Sequence, residues 1–195
     1  LRDAEGRITV PGFYDGVVEP PEEVKTLWAG LPFDGKKFLS DIGLSVPAGE
    51  KGRSALKQVW TRPTCEVNGV WGGYTAEGFK TVIPARAHAK ISFRLGAGQE
   101  PEKVRAAFRK HVEARLPADC TVEFIDHGGS AATVIPIDNP FLKPALKAMA
   151  DEWDGRSAVA GTGGSIPIVS EFKQRLGMDA LLVGFARFDN RIHSP

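Results

Sequence analysis

Apolar and polar residues alternate through 87–94. Ala87, Ala89, Ile91 and Phe93 fall on one side, and His88, Lys90, Ser92 and Arg94 on the other. A period of two predicts a half-exposed strand within "KTVIPARAHAKISFRLGAG", with Thr81 at its start. The spacing then changes. In "QEPEKVRAAFRKHVEARLP", Val104, Ala107, Phe108, Val112 and Leu116 recur at helical intervals and predict an amphipathic helix. His111 falls on its charged side and reads as a surface residue. Two further stretches read as strands: "ALKQVWTRPTCEVNGVWGGY", rich in Val, Trp and Thr and broken by Pro63 and Gly72-Gly73, and "CTVEFIDHGG". Residues 54–136 therefore read β-β-α-β, an antiparallel sheet with a helix on one face.

Upstream, residues 1–20 read as extended chain with turns at Gly6 and Pro11-Gly12. Pro20-Pro21 ahead of Glu22-Glu23 starts a helix, and "DGKKFLSDIGL" reads as a second, short one. Downstream, "NPFLKPALKAMADEWD" reads as a helix capped by Asn139. A glycine-rich turn, a helix "IPIVSEFKQRLG" ending at Gly177 and an apolar strand "DALLVGF" follow, in the manner of a piece of an α/β layer. A boundary falls near Pro136-Ile137-Asp138.

Charge narrows the function classes. Lys and Arg number 25 against 24 Asp and Glu, so no strong field favours nucleic acid. No apolar run approaches the roughly 20 residues of a membrane span, and no signal peptide is visible. Cys65 and Cys120 lie outside any C-x-x-C spacing and read as two buried thiols of a cytoplasmic protein. The chain opens on Leu1 and stops at "DNRIHSP", so both ends read as cut from something longer.

Candidate chemistry is dispersed. The turn Gly161–Ser165, "GTGGS", offers backbone N–H groups for an anion at a helix start, or is simply a tight connection. No Lys follows its glycines, which argues against a nucleotide loop. Arg94 on the exposed strand face can clamp a carboxylate, or be a solvated cation. His193 follows the last apolar strand, where α/β active sites gather, and His127 ends a strand before two glycines; the alternatives are a structural or solvated imidazole for His193 and a polar loop residue for His127. A hydrolytic metal centre needs three or four ligands per ion and a base, yet there is no H-x-D, H-x-x-H or H-E-x-x-H here.

Taken in order, "KTVIPARAHAKISFRL", "DHGG", "GGSIPIV" and "HSP" resemble the cocatalytic metallopeptidase family of carnosine dipeptidases, succinyl-diaminopimelate desuccinylases and aminoacylases, and its carnosinase-like dipeptidase branch most of all. The resemblance runs over essentially the whole chain, more loosely before Ser54. It implies an α/β catalytic domain with two Zn²⁺ or Mn²⁺ ions, into which an α+β, ferredoxin-like lid and dimerisation domain is inserted. On that reading 1–136 is an incomplete lid and 137–195 the returning C-terminal part of the catalytic domain.

Residue by residue, His193 matches the family's last metal ligand. Ser165, with the N–H groups of Gly163 and Gly164, matches the site for the substrate's terminal carboxylate. Thr81, Arg94 and His127 match lid residues that contact substrate. The Glu base and the other ligands belong upstream, so the fragment is expected to be inactive alone. The parent is expected to be a cytoplasmic homodimer, joined through the lid sheet, that hydrolyses a small peptide or N-acyl amino acid. The metals belong to that parent whether or not this fragment binds either. A departure stands at Gly161-Thr162, where many relatives carry Arg-Glu. The competing reading is a non-catalytic dimerisation or small-carboxylate-binding module.

Overall fold

A computed structural model describes residues 1–155, 157–163 and 166–185. Its Cα packing divides the chain into two units, Leu1–Ala132 with Val159–Ser165, and Thr133–Ala158 with the chain from Ile166 onward.

The first unit is built on two antiparallel strands, β1 (Thr64–Gly72) and β2 (Ala87–Arg94). Thr64 pairs with Arg94 and Cys65 with Phe93; a bulge at Val67/Gly69 shifts the register before Trp71 meets His88. The alternation foreseen in β2 holds where it matters: Ile91 and Phe93 turn inward and Arg94 outward, although Ala87 and Ala89 stay exposed. Three helices precede the sheet: α1 (Glu22–Ala29), α2 (Gly35–Asp41) and α3 (Ala55–Thr61). Pro21 opens α1 with two acids in its first turn, and the Asp34 carboxylate accepts from the Lys36 and Lys37 amides to cap α2.

Helix α4 (Pro101–Glu113) covers the sheet. The core comprises Ile8, Val10, Phe13, Cys65 and Val104, flanked by Tyr14, Ile91, Phe93, Ala107 and Phe108. Phe13 lies 5.7 Å from Phe93, and Phe93 meets Phe108 edge-on at 5.2 Å. Gln99, almost fully buried, binds the N-terminal segment to the α4 entrance: its amide nitrogen donates to the Phe13 carbonyl, and its oxygen accepts from the Gly96 amide. A polar cluster then anchors α3. Arg62, just past the helix, forks onto the buried Glu50 carboxylate at 2.6 and 3.1 Å and reaches Glu19 at 3.1 Å. Burial opposes the charge on Glu50, but the Arg62 fork and Tyr14 outweigh it and hold its carboxyl below the ordinary value.

In the second unit, α5 (Leu142–Glu152) follows a turn in which Asn139 Oδ1 accepts from the Phe141 amide, 3.0 Å. Helix α6 (Pro167–Leu176) ends at Gly177 in the left-handed region, φ 65°. Asn139, half of a pair with Asp179 at 3.0 Å, and the Lys173–Asp179 ion pair tie the two helices through the segment after α6.

The structure corrects several sequence expectations. Residues 55–61 are helix, not strand: Ser54 caps the Lys57 amide, Leu56, Val59 and Trp60 share a helical face, and Pro63 ends the run. Thr81 does not start β2, which begins at Ala87; it lies exposed in the β1–β2 connection. Among the described residues, 120–129 and 179–185 join no ladder, because a strand exists only where a partner's backbone pairs with it. His111 is 6% exposed rather than on the surface; it extends the buried row Val104, Ala107, Phe108 by one more turn. Cys65 is buried as expected, but Cys120 is exposed, and both are free thiols.

Candidate functional site

Strand geometry sets Arg94. Its neighbour Phe93 is committed to the core, so the pleat sends the Arg94 side chain to the opposite face, at the last ladder position. There its Nη1 donates to the carbonyl of Gly163, 2.7 Å. No carboxylate pairs with Arg94 among the described residues, and a guanidinium has five N–H donors. Among the described residues that bond to a carbonyl is the only hydrogen bond its side chain makes, which leaves donors to spare there.

The turn at 161–163 is seated on α3 and α1. A methyl on Gly161 would come within 2.6 Å of Trp60 Cβ and 3.3 Å of Trp28 Cζ2. A methyl on Gly163 would overlap the carbonyl oxygen of Val59. Both positions thus require a residue without a side chain because backbone and helix meet directly. Trp28 and Trp60 pack edge to face with centroids 5.1 Å apart, and the buried Trp28 Nε1 has no acceptor among the described residues. Val59, Trp60 and Trp28 were not foreseen as site residues. The signal was the pair of glycines two apart, which called for a close neighbour without naming it.

The remaining candidates are distributed as follows. His127 is exposed in the loop after α4, next to Asp126, which pairs with Arg109 at 2.5 Å and Arg105 at 3.4 Å and so holds that loop to the helix. Thr81 is exposed between the strands. Among the described hydrogen bonds, Arg94 and Gly163 are joined, whereas Thr81 and His127 contact neither of them. Gly164, Ser165 and His193 lie outside the described residues. Among the described residues no three His, Cys, Asp or Glu side chains cluster as a metal site would require. The described side chains by themselves do not form a dinuclear centre. What the arrangement can do is hold an anion: a strand-borne guanidinium is fixed beside a turn whose glycines bring the backbone close.

Residues 25–120 match the peptidase dimerisation domain of the M20 family. The chain is 30% identical to the Cys-Gly metallodipeptidase DUG1 of Candida albicans, covering all of this chain and 41% of that protein. To the human Beta-Ala-His dipeptidase it is 24% identical, over all of this chain and 39% of that one. The structure of the di-peptidase Dug1p from Saccharomyces cerevisiae superposes on 97% of this chain with a TM-score of 0.79 and 29% identity, and covers 40% of that chain. An M20 metallo-carboxypeptidase, Sso-CP2 from Sulfolobus solfataricus, gives 0.78 over 91% of this chain at 29% identity, and 45% of that one. The chain therefore spans about 40% of the length of the curated relatives it matches. With the antiparallel sheet under α4 and likeness to metallodipeptidases along its whole length, residues 25–120 are identified as the dimerisation domain of the M20 peptidases, and the chain as a whole is similar to Cys-Gly and carnosine dipeptidases of that family.

Proposed function

We propose that this chain is the substrate-holding part of a metal-dependent dipeptidase or related amidohydrolase, with 1–136 as lid and dimerisation domain and 137–195 as the C-terminal part of the catalytic domain. The observation that carries the reading is the Arg94–Gly163 bond, which fixes a cation, with no carboxylate partner among the described residues, beside a glycine turn. Arg94 grips the terminal carboxylate of a small peptide or N-acyl amino acid. The N–H groups around Gly163 and Gly164 and the hydroxyl of Ser165 share that carboxylate, and Thr81 and His127 complete the substrate contacts. Fixing one end of the substrate supplies orientation, which lowers the barrier without any group of this chain attacking the bond. His193 is the ligand this chain contributes to a centre of two Zn²⁺ or Mn²⁺ ions, whose other ligands and Glu base come from residues not in this sequence. The parent enzyme is a homodimer through the lid sheet and works in the cytoplasm; no described helix is long and apolar enough to cross a membrane.

The test is hydrolysis of a dipeptide panel, Cys-Gly and β-Ala-His included, by this chain with added Mn²⁺ or Zn²⁺. No turnover above buffer is expected. Robust turnover would show that the chain holds a complete catalytic set and would overturn the division of labour proposed here.

A further inference from the structure

The end of α3 and the start of β1, residues 59–64, touch both sides of the Arg94–Gly163 bond. The Val59 carbonyl and Trp60 lie against Gly163 and Gly161, and Thr64 is the ladder partner of Arg94. Arg62 sits in the middle of this junction, between the helix and the buried Pro63. Its side chain is 8% exposed and that of Glu50 9%, so their ion pair is sunk within the first unit. Arg62 Nε donates to Glu50 Oε2 at 2.6 Å and Nη2 to Oε1 at 3.1 Å, with the guanidinium 5.3 Å from the Tyr14 ring centroid. Glu50 is tied to α3 a second time, because Gln58 Nε2 donates to its carbonyl, 3.0 Å. Among the described hydrogen bonds neither Arg62 nor Glu50 reaches Arg94 or Gly163, so their influence on that bond runs through the junction.

We propose that Arg62 is a positioning residue for the anion site: its fork onto Glu50 locks the α3–β1 junction and thereby sets the 161–163 turn and Arg94 at the separation a single carboxylate requires. The proposal rests on the carboxylate reading given above. Two parallel bonds fix orientation as well as charge. A rotation of the junction would shift the seat of Gly163 relative to the strand end that carries Arg94. A lysine at position 62 keeps the charge but forms no fork, so it separates geometry from electrostatics.

The test is calorimetric titration of N-acetylglycine into the chain, Arg62→Lys, Arg94→Lys and the double variant, with circular dichroism on each. Arg62→Lys is expected to weaken binding about threefold or more with the fold retained. In the Arg94→Lys background the same change is expected to cost less than about twofold, because both residues act on one bond. A pair that only stabilised the fold would leave the affinity of the folded protein unchanged. Unchanged affinity in Arg62→Lys, or an equal loss in both backgrounds, would overturn the positioning role and leave the carboxylate reading standing. No binding of N-acetylglycine by the unaltered chain, or undiminished binding by Arg94→Ala, would overturn that reading and the proposal with it. If Arg62→Lys does not fold, the unaltered chain decides. Coupling is reciprocal, so saturating N-acetylglycine is expected to slow solvent exchange of the Arg62 Nε–H, followed by NMR, about threefold or more. Unchanged exchange would overturn the positioning role.

Discussion

At the scale of single residues, Gly163 shows why a glycine run is ambiguous on paper. The sequence offers "GTGGS" as an anion loop or a tight connection, and the structure gives the described glycines a steric reason: Gly163 lies against the Val59 carbonyl and Gly161 against Trp60. Gly163→Ala is therefore expected to displace the turn and cost about 1–3 kcal/mol, as overpacking does. Gly184→Ala, with open space around its Cβ, is expected to stay within about 0.5 kcal/mol of the parent. Urea unfolding of the two variants checks this; equal midpoints would show that the turn is not seated as described. Arg94 was legible as an exposed strand residue because alternation alone sets its face. Its partner was not legible, because Gly163 lies 69 residues away in sequence.

At the scale of elements, the parts announced by local chemistry were legible. Helices α1, α2, α4 and α6 follow from proline starts, first-turn acids, the Asp34 cap and the Gly177 stop. Residues 55–61 were misread because Val, Trp and Thr suggest a strand while the Ser54 cap dictates a helix. His111 was misread because its chemistry is polar although its position continues the buried row of α4. That position has a pH consequence. Burial first, and then the Arg115 cation, hold the His111 imidazole below its ordinary value. With the folded value depressed, the unfolded chain takes up the proton more readily. The stability due to neutral His111 is thus fully present above the ordinary value, about 6.5, and is lost as pH falls from there toward the lowered folded value. The urea midpoint is expected to drop as pH falls below about 6.5, and to drop less in His111→Phe. Parallel losses in both proteins would place the titration elsewhere.

At the scale of the whole molecule, the likeness to M20 peptidases was readable from four short motifs in order, whereas a catalytic set was not, because its ligands are not gathered among the described residues. A two-stranded sheet has two free edges, and β1 exposes Val67, Val70 and Trp71. If this sheet carries the parent's dimer contact, sedimentation is expected to show self-association that Val70→Lys weakens; a strict monomer at high concentration would contradict it. The central claim, that the strand-borne cation beside the glycine turn holds a carboxylate, is tested most directly by titrating N-acetylglycine into the parent chain, Arg94→Lys and Arg94→Ala. The account predicts that Arg94→Ala loses about tenfold or more in affinity, the worth of a charge-assisted hydrogen bond. Arg94→Lys should recover only part of it, because an ammonium lacks the planar fork. Unchanged affinity in Arg94→Ala, with the fold intact by circular dichroism, would contradict it.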